Sequence, residues 1–359
     1  MSTGYHIAIF TRTPWNEMPR IRHQLTNLLA GNGHHVSFFE KGESMLPKKI
    51  SEQITVISLP EILHHQLRPL KSIGDAANSF PKKYISKYYS ENKPPDIAIN
   101  FNYDFGFLRN IFPETPLVTF INDDFIAQAK PWMKKMIASR LADTCSVSNA
   151  VLTVSFPLLK QLKGYNPETF LFLPWAEKKY SAPKNTGERN VVLYFGFINH
   201  RINFPLLEKL AERKISLRLV GPVQRTVYKT AFNKLMQHKN VSLMQPQFLP
   251  DVDLSDVCCS ILPYDTKVES VNACSISNRA FNILSYGIPL LQPALPEVVE
   301  ASDRVIRNCE TIDDYFSGVE YFINNFYDVQ NDIEKFLYGN YSADRYEFLD
   351  RKSTRLNSS

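Results

Sequence analysis

The residues best suited to chemistry stand just beside apolar runs. Ser277-Asn278-Arg279 opens a helix pattern whose apolar face is Ala280, Phe281, Ile283 and Leu284. Ser277 is a good N-cap, Gly287 suits a left-handed helix end, and Pro289 prevents continuation. A cation in a first helical turn opposes the helix dipole. Arg279 therefore suits a place where an anion already meets free N–H groups. The alternative is an arginine that points into water. Three further polar stretches follow apolar runs: Arg12 to Arg22, Asn100-Phe101-Asn102-Tyr103-Asp104, and Asn122-Asp123-Asp124. Carboxylates there could take a proton and arginines could hold an anion. Plainer readings stay open: Asp123 and Asp124 as turn caps, Arg20 and Arg22 on a solvated helix face, His23 as a structural histidine.

These stretches must be positioned by a βα series. Residues 5–10, 36–39, 54–59, 96–101, 117–121, 151–154 and 170–173 read as strands. Residues 20–30, 84–89, 107–111 and 132–141 read as helices between them. Residues 177–189 are polar and apolar-poor, the best domain boundary. A second series then begins, with strands at 191–195, 216–220, 241–243, 257–262 and 288–291. Its helices are 204–214, 226–238, the stretch after Ser277, 313–325 and 328–338. The organisation predicted is a first domain at 1–176, a linker at 177–189 and a second domain at 190–325. Closing helices at 326–350 return to the first domain, and 351–359 form a disordered tail. In open parallel sheets ligands collect beyond the carboxyl ends of strands, where the polar stretches fall.

Composition bounds the partners. With 359 residues, 44% apolar and 21% charged, the chain suits two globular domains. A net charge of +5 does not call for nucleic acid; it suits anionic substrates or peripheral contact with an anionic membrane surface. The five cysteines are scattered and include no Cys-x-x-Cys pair, and no signal-peptide pattern opens the chain. A cytoplasmic protein is expected, working at the inner face of the membrane if its acceptor is lipid-linked. Asp251-Val252-Asp253 fits a metal-binding Asp-x-Asp pattern but reads as the capped start of a short helix, so no metal site is expected.

The second half resembles the nucleotide-binding domain of GT-B glycosyltransferases of the group 1 superfamily. Three stretches carry the likeness: residues 191–196 with Arg201, Leu219-Val220-Gly221-Pro222, and residues 277–289 with Arg279. Leu173-Pro174-Trp175-Ala176, residues 143–155 and the arginine at 279 look most similar to the branch that includes spore-coat maturation glycosyltransferases. The resemblance implies an α/β fold of two Rossmann-like parallel-sheet domains facing across a cleft. It also implies transfer of a sugar from a nucleotide diphosphate sugar, UDP- or GDP-linked, with no further cofactor and no required metal. The acceptor would be a glycan, a lipid-linked sugar or another hydroxyl, as in polysaccharide biosynthesis.

By the same resemblance Arg201 and Arg279 would hold the diphosphate, with Gly196 letting the backbone approach it. Ser277 and Asn278 would open the donor helix. Many relatives carry two glutamates where this chain has Cys274 and Asn282; Asn282 can still bond a ribose hydroxyl, but Cys274 cannot replace a carboxylate. If transfer inverts the sugar, a base is needed, and Asp123 and Asp124 are the first candidates, with Asp104 and His23 next. Arg12, Arg20 and Arg22 are candidates for an anionic acceptor or a donor phosphate. The alternatives are an epimerase on the same scaffold and a catalytically silent glycan- or nucleotide-binding relative.

Overall fold

The structure is a computed structural model describing residues 4–42, 46–60, 68, 70–184 and 187–356, with side chains described through residue 351. It divides into two compact units: Met1–Leu173 with Arg345–Ser359, and Pro174–Asp344.

The first unit runs β1 (His6–Phe10), α1 (Ile21–Gly31), β2 (His35–Lys41), β3 (Lys48–Lys49), β4 (Ile54–Leu59), α2 (Lys71–Glu91), β5 (Ile97–Asn100), α3 (Leu108–Ile111), β6 (Leu117–Ile121), α4 (Lys134–Ser146), β7 (Ala150–Thr153), α5 (Phe156–Lys163) and β8 (Thr169–Leu171). The strand order is β3-β4-β2-β1-β5-β6-β7-β8. Only β3 is antiparallel to its neighbour. Ile7, Ala8, Ile9 and Phe10 are all buried, as a strand covered on both faces requires. Phe10 stacks on Phe39 at 4.7 Å in a core shared with Ile57, Ile85 and Leu108. The winding direction reverses at β1, which lies between β2 and β5. The loops after β1 and β5 therefore flank a crevice at the carboxyl edge of the sheet. Helix α2 is far longer than residues 84–89, because it passes through Pro81. Packing of Ala77, Ile85 and Tyr89 into the core outweighs the lost hydrogen bond.

The second unit runs β9 (Val191–Phe195), α6 (Phe204–Glu212), β10 (Ser216–Val220), α7 (Lys229–Leu235), β11 (Val241–Met244), β12 (Val257–Ile261), α8 (Asn278–Leu284), β13 (Leu290–Pro293), β14 (Ile306–Cys309), α9 (Ile312–Asn325) and α10 (Gln330–Leu337). Its strand order, β11-β10-β9-β12-β13-β14, is parallel throughout. Here the switch point is at β9, between β10 and β12. Leu193, Val220, Val257, Ile283, Ile288 and Phe326 pack in one core under it.

The domain boundaries differ from those expected. The described part of the expected linker, residues 177–184 and 187–189, is not free: Arg189 is buried, donates to the Leu254 and Val257 carbonyls, and stacks 4.1 Å from the Phe326 ring. Tyr180 donates to Gln330 Oε1 at 3.0 Å. Helix α10 does not return to the first unit, since Phe281 stacks on Phe336 and Gln330 donates to the Gly287 carbonyl. Only the last helix, α11 (Ser342–Leu356), joins the first unit, from Arg345 onward. His34 meets the Tyr346 hydroxyl at 2.8 Å and Phe172 packs on Phe348. Residues 351–356, expected in a disordered tail, continue this helix, whereas 357–359 lie outside the described residues.

Candidate functional site

In the second unit the switch point gathers Arg279, Arg201, Tyr194 and Tyr264. Helix α8 is capped as expected, Ser277 Oγ accepting from the Arg279 N–H at 3.3 Å. The Arg279 side chain does not point into water. It crosses to the end of β9, where Nη1 donates to Tyr194 Oη at 3.0 Å and to the Phe195 carbonyl at 3.1 Å. Nη2 donates to Tyr264 Oη. The Tyr194 O–H donates to the Phe197 carbonyl at 2.6 Å, and the Tyr264 O–H donates to Ser277 Oγ at 3.4 Å.

Gly196, expected to admit a diphosphate, makes room for Arg279 itself. Its φ is +140°, and a Cβ there would sit 2.2 Å from Arg279 Nη1. Gly221, at φ +139°, lies against the Gly196 carbonyl, where a Cβ would come within 2.1 Å. The two glycines thus let the ends of β9 and β10 close under the guanidinium.

Arg201 is held by its backbone. Its N–H bonds Asn199 Oδ1 at 3.0 Å, and its carbonyl accepts from the Asp265 N–H at 2.8 Å. The Arg201 guanidinium itself makes no hydrogen bond or ion pair among the described residues. Burial raises the Tyr194 phenol above its ordinary range, although Arg279 and Arg201 both pull it down, so both cations bear on one ring. His200 beside them is pushed down, by burial first and then by Arg201, and its buried Nδ1 has no partner among the described residues. Asn278 and Asn282 stand one helical turn apart and are partly buried. Asp253 serves as a cap, its Oδ1 accepting from the Ser255 N–H.

In the first unit the polar stretches separate into structural and available groups. Arg12 and Asp104, both candidates for acceptor contact, neutralise each other through bonds of 2.6 and 2.9 Å, with Asn78 alongside. The Asp104 side chain has no exposure. Burial pushes its carboxyl up, but the Arg12 charge and hydrogen bonds outweigh this and hold it below the ordinary value. A base held in this way is a poor one, so Asp104 is corrected to a structural residue. His23 is likewise spent: Nδ1 accepts from the Arg20 N–H and Nε2 donates to the Pro14 carbonyl, while its ring packs against Trp15 and Phe38. Arg20 pairs with Glu17.

Asp124 takes the cap role, its Oδ1 accepting from the Ile126 and Ala127 N–H groups. The Asp123 carboxylate instead accepts, among the described residues, only from side-chain amides, those of Asn122 at 2.9 Å and Gln128 at 3.2 Å. Arg22 is buried, donating to Thr11 Oγ1 and Asn122 Oδ1 at 3.2 Å each and to Thr13 Oγ1. Sequence reading did not single out Tyr194, Tyr264, His200, Thr11 or Thr13. The usable signal was position, since each stands at or just past the carboxyl end of a strand. Tyr194 was hidden inside an apolar run.

The Arg12–Asp104 pair yields a stability prediction. Asp104→Asn is expected to cost about 3 kcal/mol near neutral pH, the low end for breaking a buried pair because Arg12 keeps some exposure. The folded carboxyl titrates below its unfolded value of about 3.9. Its contribution is therefore complete above that value and is lost as pH falls through the lower, folded one. Urea unfolding of both proteins at pH 7 and at about pH 3 should show the gap shrinking in acid. A gap that is absent at pH 7, or unchanged by acid, would remove the pair from the stability of this unit.

No protein family and no curated protein matches the chain. Solved structures do. Sucrose-phosphate synthase from Thermosynechococcus elongatus matches with a TM-score of 0.70 over 99% of this chain and 100% of that one, at 11% identity. Anabaena HepE, solved in complex with UDP-glucose, matches at 0.72 over 99% and 100%, at 10% identity. WaaG, a glycosyltransferase involved in lipopolysaccharide biosynthesis, matches at 0.61 over 93% and 96%, at 14% identity. The chain has the fold that these proteins share, the α/β fold of GT-B glycosyltransferases with two parallel-sheet domains. Among the described residues no helix is long and apolar enough to cross a membrane.

Proposed function

We propose that the protein is a glycosyltransferase moving a sugar from a nucleotide diphosphate sugar to a hydroxyl of a glycan or lipid-linked acceptor. The observation that carries this reading is the pair of cations at the carboxyl edge of β9. Among the described residues the Arg279 guanidinium is held only by neutral oxygens, and the Arg201 guanidinium has no hydrogen-bond or ion-pair partner. Two arginines without a bonded carboxylate suit a diphosphate. As the sugar leaves, negative charge grows on that diphosphate, and cations already fixed there stabilise the transition state more than the ground state. This reading requires no metal. Asn282, partly exposed on α8, suits a ribose hydroxyl, and Asp123 suits the base that an inverting transfer needs.

A UDP-linked donor is favoured over GDP by the UDP-glucose found in HepE. Kinship with the spore-coat maturation branch rests on Arg279 and on the Leu173 to Ala176 stretch, in which Trp175 and Ala176 are buried. A cytoplasmic site of action, at the inner membrane face for a lipid-linked acceptor, goes with this reading.

The test is a screen with UDP-, GDP- and dTDP-sugars in the presence of a chelator, following both the nucleotide and the sugar. Release of nucleoside diphosphate, rising when acceptor glycans are added, is expected. An isomerised nucleotide sugar would mean an epimerase, and binding without turnover a silent relative.

A further inference from the structure

Arg22 poses a problem in charge balance that its neighbours among the described residues do not solve. The residue is 8% exposed. A guanidinium offers five N–H groups, and here three are used, on the Thr11 and Thr13 hydroxyls and the Asn122 side-chain carbonyl. The Nε–H is buried with no acceptor among the described residues. No partner is charged. The acids that act on Arg22 from farther away are engaged elsewhere: Glu17 bonds Arg20, and Asp123 accepts from Asn122 and Gln128. Burial, the largest influence, lowers the Arg22 pKa to about 10 even though Asp123 pulls it up. Its neighbour Arg12 shows the contrast, with a carboxylate gripping two nitrogens.

Place matters as much as charge. Thr11 and Thr13 follow β1, Asn122 follows β6, and the Arg22 carbon lies 5.5 Å from the ring of Phe101, just past β5. Arg22 thus spans the carboxyl ends of β1, β5 and β6, beside the switch point. It also stands in the first turn of α1, which carries no acidic residue. Burying an uncompensated cation is costly unless something completes it. Two donors, the Nε–H and one Nη2–H, remain unfilled, and a phosphate or carboxylate is the partner that a guanidinium fork suits.

We propose that Arg22, with Thr11, Thr13 and Asn122, forms an anion subsite, and that the acceptor carries a phosphate or carboxylate group which seats there. This rests on the reading of the protein as a glycosyltransferase only in calling the ligand an acceptor; anion binding itself does not depend on turnover. The donor cations Arg201 and Arg279 belong to the other unit.

The experiment measures binding and stability of the full chain. Inorganic phosphate and a panel of sugar phosphates and uronic acids are titrated into wild type, Arg22→Met and Arg22→Lys, with thermal unfolding followed in parallel. Phosphate is expected to raise the wild-type Tm, as a ligand bound only to the folded state must. In Arg22→Met, phosphate binding should fall at least tenfold, roughly what loss of a charged hydrogen-bond donor produces. UDP affinity should not change. Without anion, Arg22→Met should be as stable as wild type or more so, because an uncompensated buried charge has been removed. Arg22→Lys should retain part of the binding.

Three results would each overturn the proposal. One is a wild-type Tm indifferent to phosphate and to every panel member, which needs no variant. Another is an Arg22→Met protein that is destabilised while still binding phosphate normally, the mark of a purely structural arginine. The last is loss of UDP affinity with phosphate affinity intact, which would assign Arg22 to the donor. If anions bind as expected while no sugar is transferred, the functional reading fails and the subsite stands.

Discussion

Arg279→Ala is expected to weaken nucleoside diphosphate binding about 30- to 150-fold and to lower kcat as well. The range follows from losing roughly 2–3 kcal/mol of charged hydrogen bonding to the ligand. The effect on kcat follows from charge that grows on the leaving diphosphate, so the interaction removed is stronger in the transition state. The structure adds a competing account that has to be separated. Arg279 already bonds Tyr194, Tyr264 and the Phe195 carbonyl, so it could serve only to tie α8 to the end of β9. A mere strut predicts a fall in Tm with nucleotide affinity and turnover preserved in the folded protein. Arg279→Lys sharpens the comparison, since it keeps the charge but loses the fork, and should recover affinity only in part. Calorimetric titration of UDP into the three proteins, beside thermal unfolding and initial rates, decides between the accounts. Equal affinity and equal turnover in wild type and Arg279→Ala would remove the arginine from the donor site.

Asp123→Asn is expected to cut turnover at least about a hundredfold while leaving UDP affinity unchanged. The hundredfold is the low end for removing a general base. Asparagine keeps the size and polarity of the side chain but cannot take a proton, and its one oxygen can still accept from one of the two amides, Asn122 or Gln128. Asp124→Asn serves as the control. Its Oδ1 caps the turn at Ile126 and Ala127, a role that an asparagine oxygen can keep, so the change should cost little stability and little turnover. Near-normal turnover in Asp123→Asn would exclude it as the base and favour a mechanism with retention.

Much of the frame was legible along the chain. Residues 117–121, 191–195 and 216–220 read as strands, and the structure has β6, β9 and β10 there. A parallel strand buried on both faces must be an unbroken apolar run, and that is a local property. The cap of α8 at Ser277 and the left-handed Gly287, at φ +73°, were legible for the same reason, since each depends on a few neighbouring residues. The helix expected at 84–89 runs from Lys71 to Glu91 and through Pro81, because distant packing supports it against local propensity.

The sites depended on strand order, which no local pattern encodes. Arg12 and Asp104 stand 92 positions apart and are joined only because β1 lies beside β5. Once joined, each consumes the charge that made the other look available. Arg22 and Asn122 are 100 apart and meet because β6 lies next to β5 on the same side. Gly196 was read as space for a ligand, yet Arg279, 83 residues later, fills that space because α8 follows β12, the neighbour of β9. Residue types and caps follow from short-range sterics and hydrogen bonding. Whether a buried charge is neutralised or left for a ligand follows from which strand ends the fold brings together, and that was decided by the tertiary structure alone.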